Sequence, residues 1–247
     1  MKKNIISNDL QCKSIGVQKE RSLHCSIKKA YFKSGDLIEH KIGKYITDIF
    51  RNGLIIEIQT AGFSSLKKKL ADLLPDYKIK IVYPMASHKS IVKISESGEI
   101  LSSRKSPKKF SLYDAFDELI NIRKFLNHPN LSVEFLVFSE EQIRKNDGKG
   151  SWRRKGVSIV DRKLVKINKK ILLSSLKDYI CFIPKTLKFP YSNKTFAKKS
   201  GVSIYKSRKI NYVLKSIGLI KVESKNGKEF LFGLNSFFNP FKCSKKN

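Results

Sequence analysis

The sequence predicts an α/β fold with a mixed sheet, followed by a smaller and mainly helical domain. An Arg51-Asn52-Gly53 turn joins two Ile-rich runs, which is a strong signal for a β-hairpin. Apolar residues then alternate between helical and strand spacing as far as Phe138, as expected for a layered α/β domain. After a Gly-rich basic segment at 146–155, the pattern changes to short helices and a final hairpin.

The N-terminal elements follow from hydrophobic periodicity. Residues 1–18 show no periodicity and are expected to form a loose tail. Apolar residues at helical spacing predict three helices, at 20–32, 64–74 and 112–126. Residues 37–42 and 44–50 are predicted to form one extended or bent strand segment, and further apolar segments predict strands at 54–60, 78–84, 90–94 and 132–138. These elements make up a mixed-sheet domain at 19–145.

The C-terminal part is predicted to be separate. Residues 146–170 are interpreted as a basic, Trp-containing linker, 171–236 as a small domain and 237–247 as a basic tail. Helices are expected at 176–183, at 193–199 and at 204–217, where Gly218 occupies a favoured C-terminal position. Two short strands follow, at 219–223 and 229–234. This order of helices, turn and hairpin resembles a winged helix-turn-helix.

The charge of the chain predicts a polyanionic partner. The formal net charge is +30, and residues 148–247 carry 25 Lys and Arg against 4 Asp and Glu, a net +21. Such a field attracts nucleic acid, and we expect DNA as the partner. A membrane surface is not expected, because the sequence has no long basic amphipathic helix and no apolar run long enough to span a bilayer.

The chain is predicted to be cytoplasmic. Met1-Lys2-Lys3 is followed by polar residues where a secretory signal needs an apolar segment. The cysteines are far apart, without the spacing of zinc ligands, and are expected to be reduced: Cys12, Cys25, Cys181 and Cys243.

Two carboxylates interrupt the predicted hairpin. Asp48 and Glu57 each lie among apolar strand residues, where an ionised carboxylate is costly unless it is paired or bound to a metal ion. Either both are neutralised by nearby Lys41, Lys44 or Arg51, or they form a cation site. Glu57 and Gln59 project to the same face of their strand, because residues i and i+2 of a strand do so.

An Asp on one strand, a Glu-x-Gln on the next and a following helix resemble the core of the PD-(D/E)XK nuclease superfamily. The resemblance implies a restriction-endonuclease-like fold, binding of Mg²⁺ or Mn²⁺, and hydrolysis of phosphodiester bonds. It implies Asp48 and Glu57 as metal ligands, with Glu20 of the leading helix as a third. Gln59 replaces the superfamily lysine and would position the water, and a lysine from the following helix, Lys67 or Lys69, would then stabilise charge on the phosphate.

Two further side chains each have two interpretations. His24, on the apolar side of the first helix, is interpreted as a core histidine, with a phosphate contact as the alternative. Glu39 is interpreted as a surface charge, with a metal ligand as the alternative.

Two basic segments are predicted to contact nucleic acid. The third C-terminal helix and the wing after it would present side chains to a groove and to the backbone, and the Trp-containing segment would stack on a base and bind phosphate. The predicted residues are Trp152, Arg153, Arg154, Lys155, Lys206, Arg208, Lys209, Tyr212, Lys225 and Lys228. The alternatives are protein contacts by the winged helix and a hydrophobic anchor for Trp152.

The sequence therefore predicts a Mg²⁺-dependent DNA endonuclease. The alternative is a non-catalytic winged-helix DNA-binding regulator, in which the nuclease-like domain is only a scaffold. Charge alone also suggests an RNA-binding or ribosome-associated protein. The sequence does not decide whether the chain forms a homodimer.

Overall fold

The computed structural model describes residues 22–236. The predicted tails at 1–18 and 237–247 and the predicted ligand Glu20 lie outside the described residues. The N-terminal part is mixed α/β, with a seven-stranded sheet and helices. Its helices are α1 (Ser22–Tyr31), α2 (Leu66–Leu73) and α3 (Phe116–Leu119). Its strands are β1 (Leu37–Ile42), β2 (Tyr45–Arg51), β3 (Leu54–Ile58), β4 (Lys78–Ile94), β5 (Ile100–Lys105), β6 (Leu131–Asn146) and β7 (Val157–Leu173).

The strand order of the large sheet is β1-β2-β3-β4-β6-β7, and β5 pairs with the far half of β4. Strands β3, β4 and β6 run parallel to one another, while the remaining pairs are antiparallel. A parallel pair needs a crossover connection, and α2 supplies the one between β3 and β4. The sheet is therefore mixed, as the sequence predicted.

Several predicted strand boundaries are wrong, because the strands are longer than predicted. The two strands predicted at 78–84 and 90–94 are one strand, β4, and the strand predicted at 132–138 continues to Asn146. The predicted linker at 146–170 is wrong for residues 157–170, since they belong to β7, which pairs with β6 over its whole length. β7 was not predicted because lysines occupy many of its exposed positions. A strand at the edge of a sheet can carry charged residues and needs few apolar ones.

The helix predicted at 112–126 is broken. Two 3-10 segments, Leu112–Ala115 and Ile120–Ile122, flank the short α3. The apolar positions that suggested one helix are still buried, including Phe116 and Leu119. Periodicity thus identified the buried face but not the regularity of the backbone.

The C-terminal part contains two helices and a small sheet. A 3-10 helix (Leu176–Phe182) precedes β8 (Tyr191–Ser192), α4 (Asn193–Ser200), α5 (Ile204–Ser216), β9 (Ile220–Asn226) and β10 (Glu229–Leu234). Ser192 and Ser203 cap α4 and α5 by accepting hydrogen bonds from backbone amides of the first turn. The helices and hairpin therefore occur in the predicted order, and the strand order of the small sheet is β8-β10-β9.

Two hydrophobic clusters cover the large sheet. In the smaller one, α1 packs through Leu23 and Ile27 on β2, β3, β4 and β6. The larger one joins α2 and α3 to the C-terminal part, because Phe182 and Leu214 belong to the same buried cluster as Phe116. Burial is thus continuous between the sheet and the C-terminal helices.

Two other expectations concern the described residues. None of the helices between residues 22 and 236 combines the length and the apolar content that crossing a bilayer requires. Cys25 is disulfide-bonded, so the expectation of reduced cysteines is wrong at that position. Cys181 is a free, exposed thiol.

Candidate functional site

The β2–β3 hairpin brings Asp48 and Glu57 to neighbouring positions. Asn52 and Gly53 adopt positive φ angles of 45° and 79°, as the tight hairpin turn requires. The regular pairing ends at Ile49 and Ile56, one residue before the two carboxylates. There Asp48 Oδ2 accepts a hydrogen bond from the backbone amide of Ile58 at 2.7 Å. The Asp48 carboxylate therefore takes the place of a backbone partner at the point where the strands separate.

Side chains of α1 surround Asp48. His24 Nε2 lies 3.4 Å from Asp48 Oδ2, and Lys28 Nζ lies 3.8 Å from Asp48 Oδ1. Lys28 is only 6% exposed and also pairs with Glu39 at 3.2 Å. Burial alone would raise the pKa of Asp48, but the hydrogen bond and charge of His24, the Ile58 amide and Lys28 hold this pKa below its ordinary value. Asp48 is therefore kept ionised.

Glu57 is held by α2. Lys69 Nζ lies 2.7 Å from both carboxylate oxygens of Glu57 and donates to the backbone carbonyl of Ile46 at 2.7 Å. Both side chains are nearly buried. Burial and the neighbouring charge of Asp48 raise the pKa of Glu57 to about 7, although Lys69 favours its ionised form. The two carboxylates are thus close enough to repel each other.

Helical geometry selects one of the predicted lysines. The buried face of α2 contains Leu66, Leu70 and Leu73, and Lys69 lies at its border, one turn after Leu66. Lys67 points away from this face and is exposed. Of the two candidates from sequence, the structure therefore brings only Lys69 to the carboxylates.

Gln59 does not join this group. Its side-chain amide donates to the backbone carbonyl of Ala61, the residue is half-buried, and no hydrogen bond connects it to Asp48 or Glu57. Sequence reasoning missed Lys28 and assigned His24 to the core. The signal available for Lys28 is its helical spacing of four residues from His24, which places both on one face of α1.

We call Asp48, Glu57, Lys69, His24 and Lys28 the carboxylate cluster. It contains two acidic groups, two lysines and a histidine, all largely buried. Among residues 22–236, no group of three or more His, Cys, Asp or Glu side chains is arranged to hold a metal ion. Asp48 and Glu57 supply carboxylate oxygens, the type of ligand that a hard divalent cation prefers. A divalent cation between them would compete with Lys69 for Glu57.

The predicted nucleic-acid contacts divide into two groups. Trp152 is 82% exposed, with the Arg153 guanidinium 5.5 Å from its ring centre. Arg208, Tyr212, Lys225 and Lys228 are also exposed, and Arg123 lies 5.0 Å from the Tyr212 ring. Arg154 and Lys155 are in the turn before β7, where Arg154 donates to the backbone carbonyl of Val157.

Lys206 and Lys209 face the N-terminal part instead of solvent. Lys206 Nζ lies 3.2 Å from Asp114 and 2.5 Å from Asp117, and Lys209 Nζ lies 2.5 Å from Asp117. Both lysines are less than one-fifth exposed. Their charges are therefore used to dock α5 against the segment around α3.

Comparison with known proteins places the N-terminal part in a family. Residues 21–174 match the family described as Domain of unknown function (DUF8091), and the chain belongs to it. The matched segment ends just after β7, so it contains the whole large sheet and the carboxylate cluster. A protein of Treponema pallidum (strain Nichols) with the name "Uncharacterized protein" is 33% identical over 155 residues. The match covers 62% of this chain and 62% of the relative, less than two thirds of its length. No solved structure matches the chain.

Proposed function

We propose that this member of the DUF8091 family is a metal-dependent DNA endonuclease that hydrolyses phosphodiester bonds at the carboxylate cluster. The observation that carries the proposal is the convergence of Asp48, Glu57 and Lys69 from two paired strands and the helix that follows them. An acidic pair beside a lysine is the arrangement that the PD-(D/E)XK resemblance implies, with Lys69 supplying the charge that Gln59 lacks.

The donor set fits a divalent cation. Burial and mutual repulsion make two ionised carboxylates unfavourable here, as the raised pKa of Glu57 indicates. Mg²⁺ or Mn²⁺, held by Asp48 and Glu57, would supply a Lewis acid for the scissile phosphate and lower the pKa of an attacking water. Glu20 would complete the ligands in this proposal.

The remaining residues of the cluster have defined tasks. His24 and Lys28 keep Asp48 ionised, so that it can bind a cation at neutral pH. Lys69 moves from Glu57 to the phosphate and stabilises the negative charge that develops on the phosphate oxygens. Electrostatic stabilisation of a transition state is usually the largest single contribution to catalysis.

DNA is the proposed substrate because of charge and exposed aromatic residues. The net charge of +21 in residues 148–247 provides a field for a polyanion. Trp152 with Arg153, and Arg208, Lys225 and Lys228 around a proposed winged helix, are the exposed side chains that would contact it. Lys206 and Lys209 are not part of this surface in the proposal, because Asp114 and Asp117 neutralise them.

The second candidate function is a non-catalytic DNA-binding regulator. The observation that favours it is the double contact of Lys69 with Glu57, which makes an ion pair that needs no metal ion. In that case the cluster stabilises the fold, and binding depends on the C-terminal part.

The test is an assay of the full chain with labelled linear and supercoiled DNA in low salt. Mg²⁺, Mn²⁺ and EDTA are compared for the wild type, Asp48→Ala, Lys69→Gln and Lys68→Gln. Lys68 is the matched control, because it is an exposed lysine beside Lys69 on α2. We expect metal-dependent cleavage that Lys69→Gln lowers about 100-fold, that Asp48→Ala abolishes, and that Lys68→Gln leaves within about twofold.

Cleavage that survives Asp48→Ala overturns the nuclease proposal. Salt-sensitive DNA binding without cleavage in any variant favours the regulator instead. Circular dichroism spectra that match the wild type show that each variant has folded.

A further inference from the structure

A concave site at the edge of β4 is separate from the carboxylate cluster. It has a volume of about 210 Å³ and lies where β3 ends, between Thr60 and the segment that follows β5. None of the five cluster residues lines it. We call it the cationic pocket, because its charged lining consists of Lys89, Lys108, Lys109, Arg162 and a single carboxylate, Asp114.

The lining has more positive than negative charge. Asp114 is shared between Lys108 at 3.4 Å and Lys206 at 3.2 Å, so it does not neutralise the pocket. Lys109 is exposed and forms no ion pair with any residue between 22 and 236. Four cations against Asp114 leave an excess of positive charge in a concave surface, which focuses the field on an anion.

Two of the cations are fixed from behind by Glu140. Lys89 Nζ lies 2.6 Å from Glu140 Oε1, and Arg162 Nη2 lies 2.5 Å from Glu140 Oε2. Glu140 is 1% exposed, and its Oε1 has no partner with hydrogen-bond geometry. The carboxylate therefore balances only one of the two cations that it holds, and both of these cations line the pocket.

The size and the neutral lining favour a phosphate group. Thr60, Ser87, Ser106 and Ser111 line the pocket, and the hydroxyl groups of Thr60, Ser106 and Ser111 can donate hydrogen bonds to anionic oxygens. The volume is below the roughly 300 Å³ at which pockets for drug-sized ligands begin. A small oxyanion therefore fits better than a large cofactor.

The positive charge continues beside the pocket. Burial lowers the pKa of Arg144, and the charges of Arg104 and Arg154 lower it further, while Glu140 opposes them. Arg144 on β6 is therefore close enough to Arg104 on β5 and to Arg154 before β7 to be repelled by both. A polyanion lying along this surface would remove that repulsion.

We propose that the cationic pocket binds one phosphate group of a DNA strand, away from the bond that is cut. The identity of the strand rests on the proposed function, whereas the phosphate site rests on the pocket itself. Lys109 and Lys108 would close on the phosphate from the segment after β5, and Arg162 and Lys89 would hold it from the sheet.

The experiment measures binding in EDTA, so that cleavage plays no part. Calorimetric titration of inorganic phosphate into the full chain is compared for the wild type, Lys108→Gln/Lys109→Gln and Lys198→Gln/Lys199→Gln. The second pair is the matched control, because it is also two consecutive exposed lysines but lies on α4, outside the pocket. We expect phosphate affinity to fall at least about tenfold in the pocket variant and less than about twofold in the control.

A second titration uses a fluorescent 20-base-pair duplex and adds inorganic phosphate as a competitor. Weaker duplex binding by the pocket variant than by the control, with competition by phosphate, supports a strand phosphate in the pocket. Phosphate binding that the pocket variant loses without any change in duplex binding overturns the DNA assignment. Equal phosphate affinity in all three proteins, or none in the wild type, overturns the pocket itself. Loss of nuclease activity in Asp48→Ala is a separate result, because it requires a metal ion and this experiment excludes one.

Discussion

Glu57 and Glu140 are both largely buried carboxylates of the large sheet, but their neighbours differ in charge. Glu140 faces two cations, Lys89 and Arg162, and no other acidic side chain between residues 22 and 236 pairs with either of them. Glu57 faces one cation, Lys69, and the negative charge of Asp48. Glu140 is therefore needed to neutralise its surroundings, whereas Glu57 adds charge that its surroundings only partly neutralise. A site with excess negative charge is suited to a cation, and one with excess positive charge to an anion.

The largest expected effect is that of Glu140→Gln. The amide leaves Lys89 and Arg162 without a counter-charge in a largely buried position, and we expect the free energy of unfolding to fall by about 3 kcal/mol. Urea unfolding measures it, with Glu141→Gln as the control, since Glu141 follows Glu140 on β6 and is only half-buried. The control should change by less than about 0.5 kcal/mol. Equal changes in the two variants would contradict the role given to Glu140.

Lys69→Met should have a smaller effect, about 2 kcal/mol at pH 8. Among residues 22–236, Lys69 is the lysine bound to Glu57, and its removal is costly, but Glu57 can take up a proton and so limit the cost. Lys68→Met is the control and should be close to neutral, because Lys68 is exposed. If the two variants unfold at the same urea concentration, Lys69 does not stabilise the cluster.

The pH dependence of stability distinguishes Glu57 from an ordinary carboxylate. Its pKa in the folded protein, about 7, lies above the ordinary value of 4.5, so the folded state binds the proton more tightly. Stability contributed by this proton is therefore lost as the pH rises from 4.5 to about 7. Glu57→Gln has no such proton and should gain stability relative to the wild type over that range, by up to about 1.4 kcal/mol for each pH unit. Parallel curves of unfolding free energy against pH would show that burial and the charge of Asp48 do not raise the pKa of Glu57.

The smallest expected effect concerns the contact between α5 and the segment around α3. Asp117→Asn removes the partner of Lys206 and Lys209, which are partly exposed, and should cost about 0.5 kcal/mol for each pair. Thermal unfolding in low and high salt measures it, and Asp76→Asn is the control, because Asp76 is exposed and has no ion pair with a described residue. A loss that salt does not reduce would indicate that packing, not charge, holds α5 in place.

Local signals explain most of what was predicted correctly. The Asn52-Gly53 turn and the alternating apolar segments both depend on residues close together in the chain. The same applies to Asp48 and Glu57, which a single hairpin connects. Residues that meet through a short turn can be paired from sequence, because the turn fixes their register.

Contacts between distant segments were not predicted. The strand β7 was interpreted as a linker, because no residue near it in the sequence indicates that it pairs with β6. Lys206 and Lys209 were interpreted as DNA contacts, because nothing near them in the sequence indicates that they pair with Asp117. The cationic pocket was missed for the same reason. Glu140, Lys89 and Arg162 come from three strands, and no spacing in the sequence connects them.

The sequence by itself determined the mixed α/β class, the hairpin with its two carboxylates, the lysine-bearing helix after it and the excess of positive charge. Periodicity and turn chemistry act over a few residues, and net charge needs no structure at all. Only the tertiary structure decided that Lys69 and not Lys67 meets Glu57, that α1 supplies His24 and Lys28, and that Glu140 holds two cations. These choices depend on which face of a helix is buried and on the register of distant strands, and both are set by packing of the whole chain.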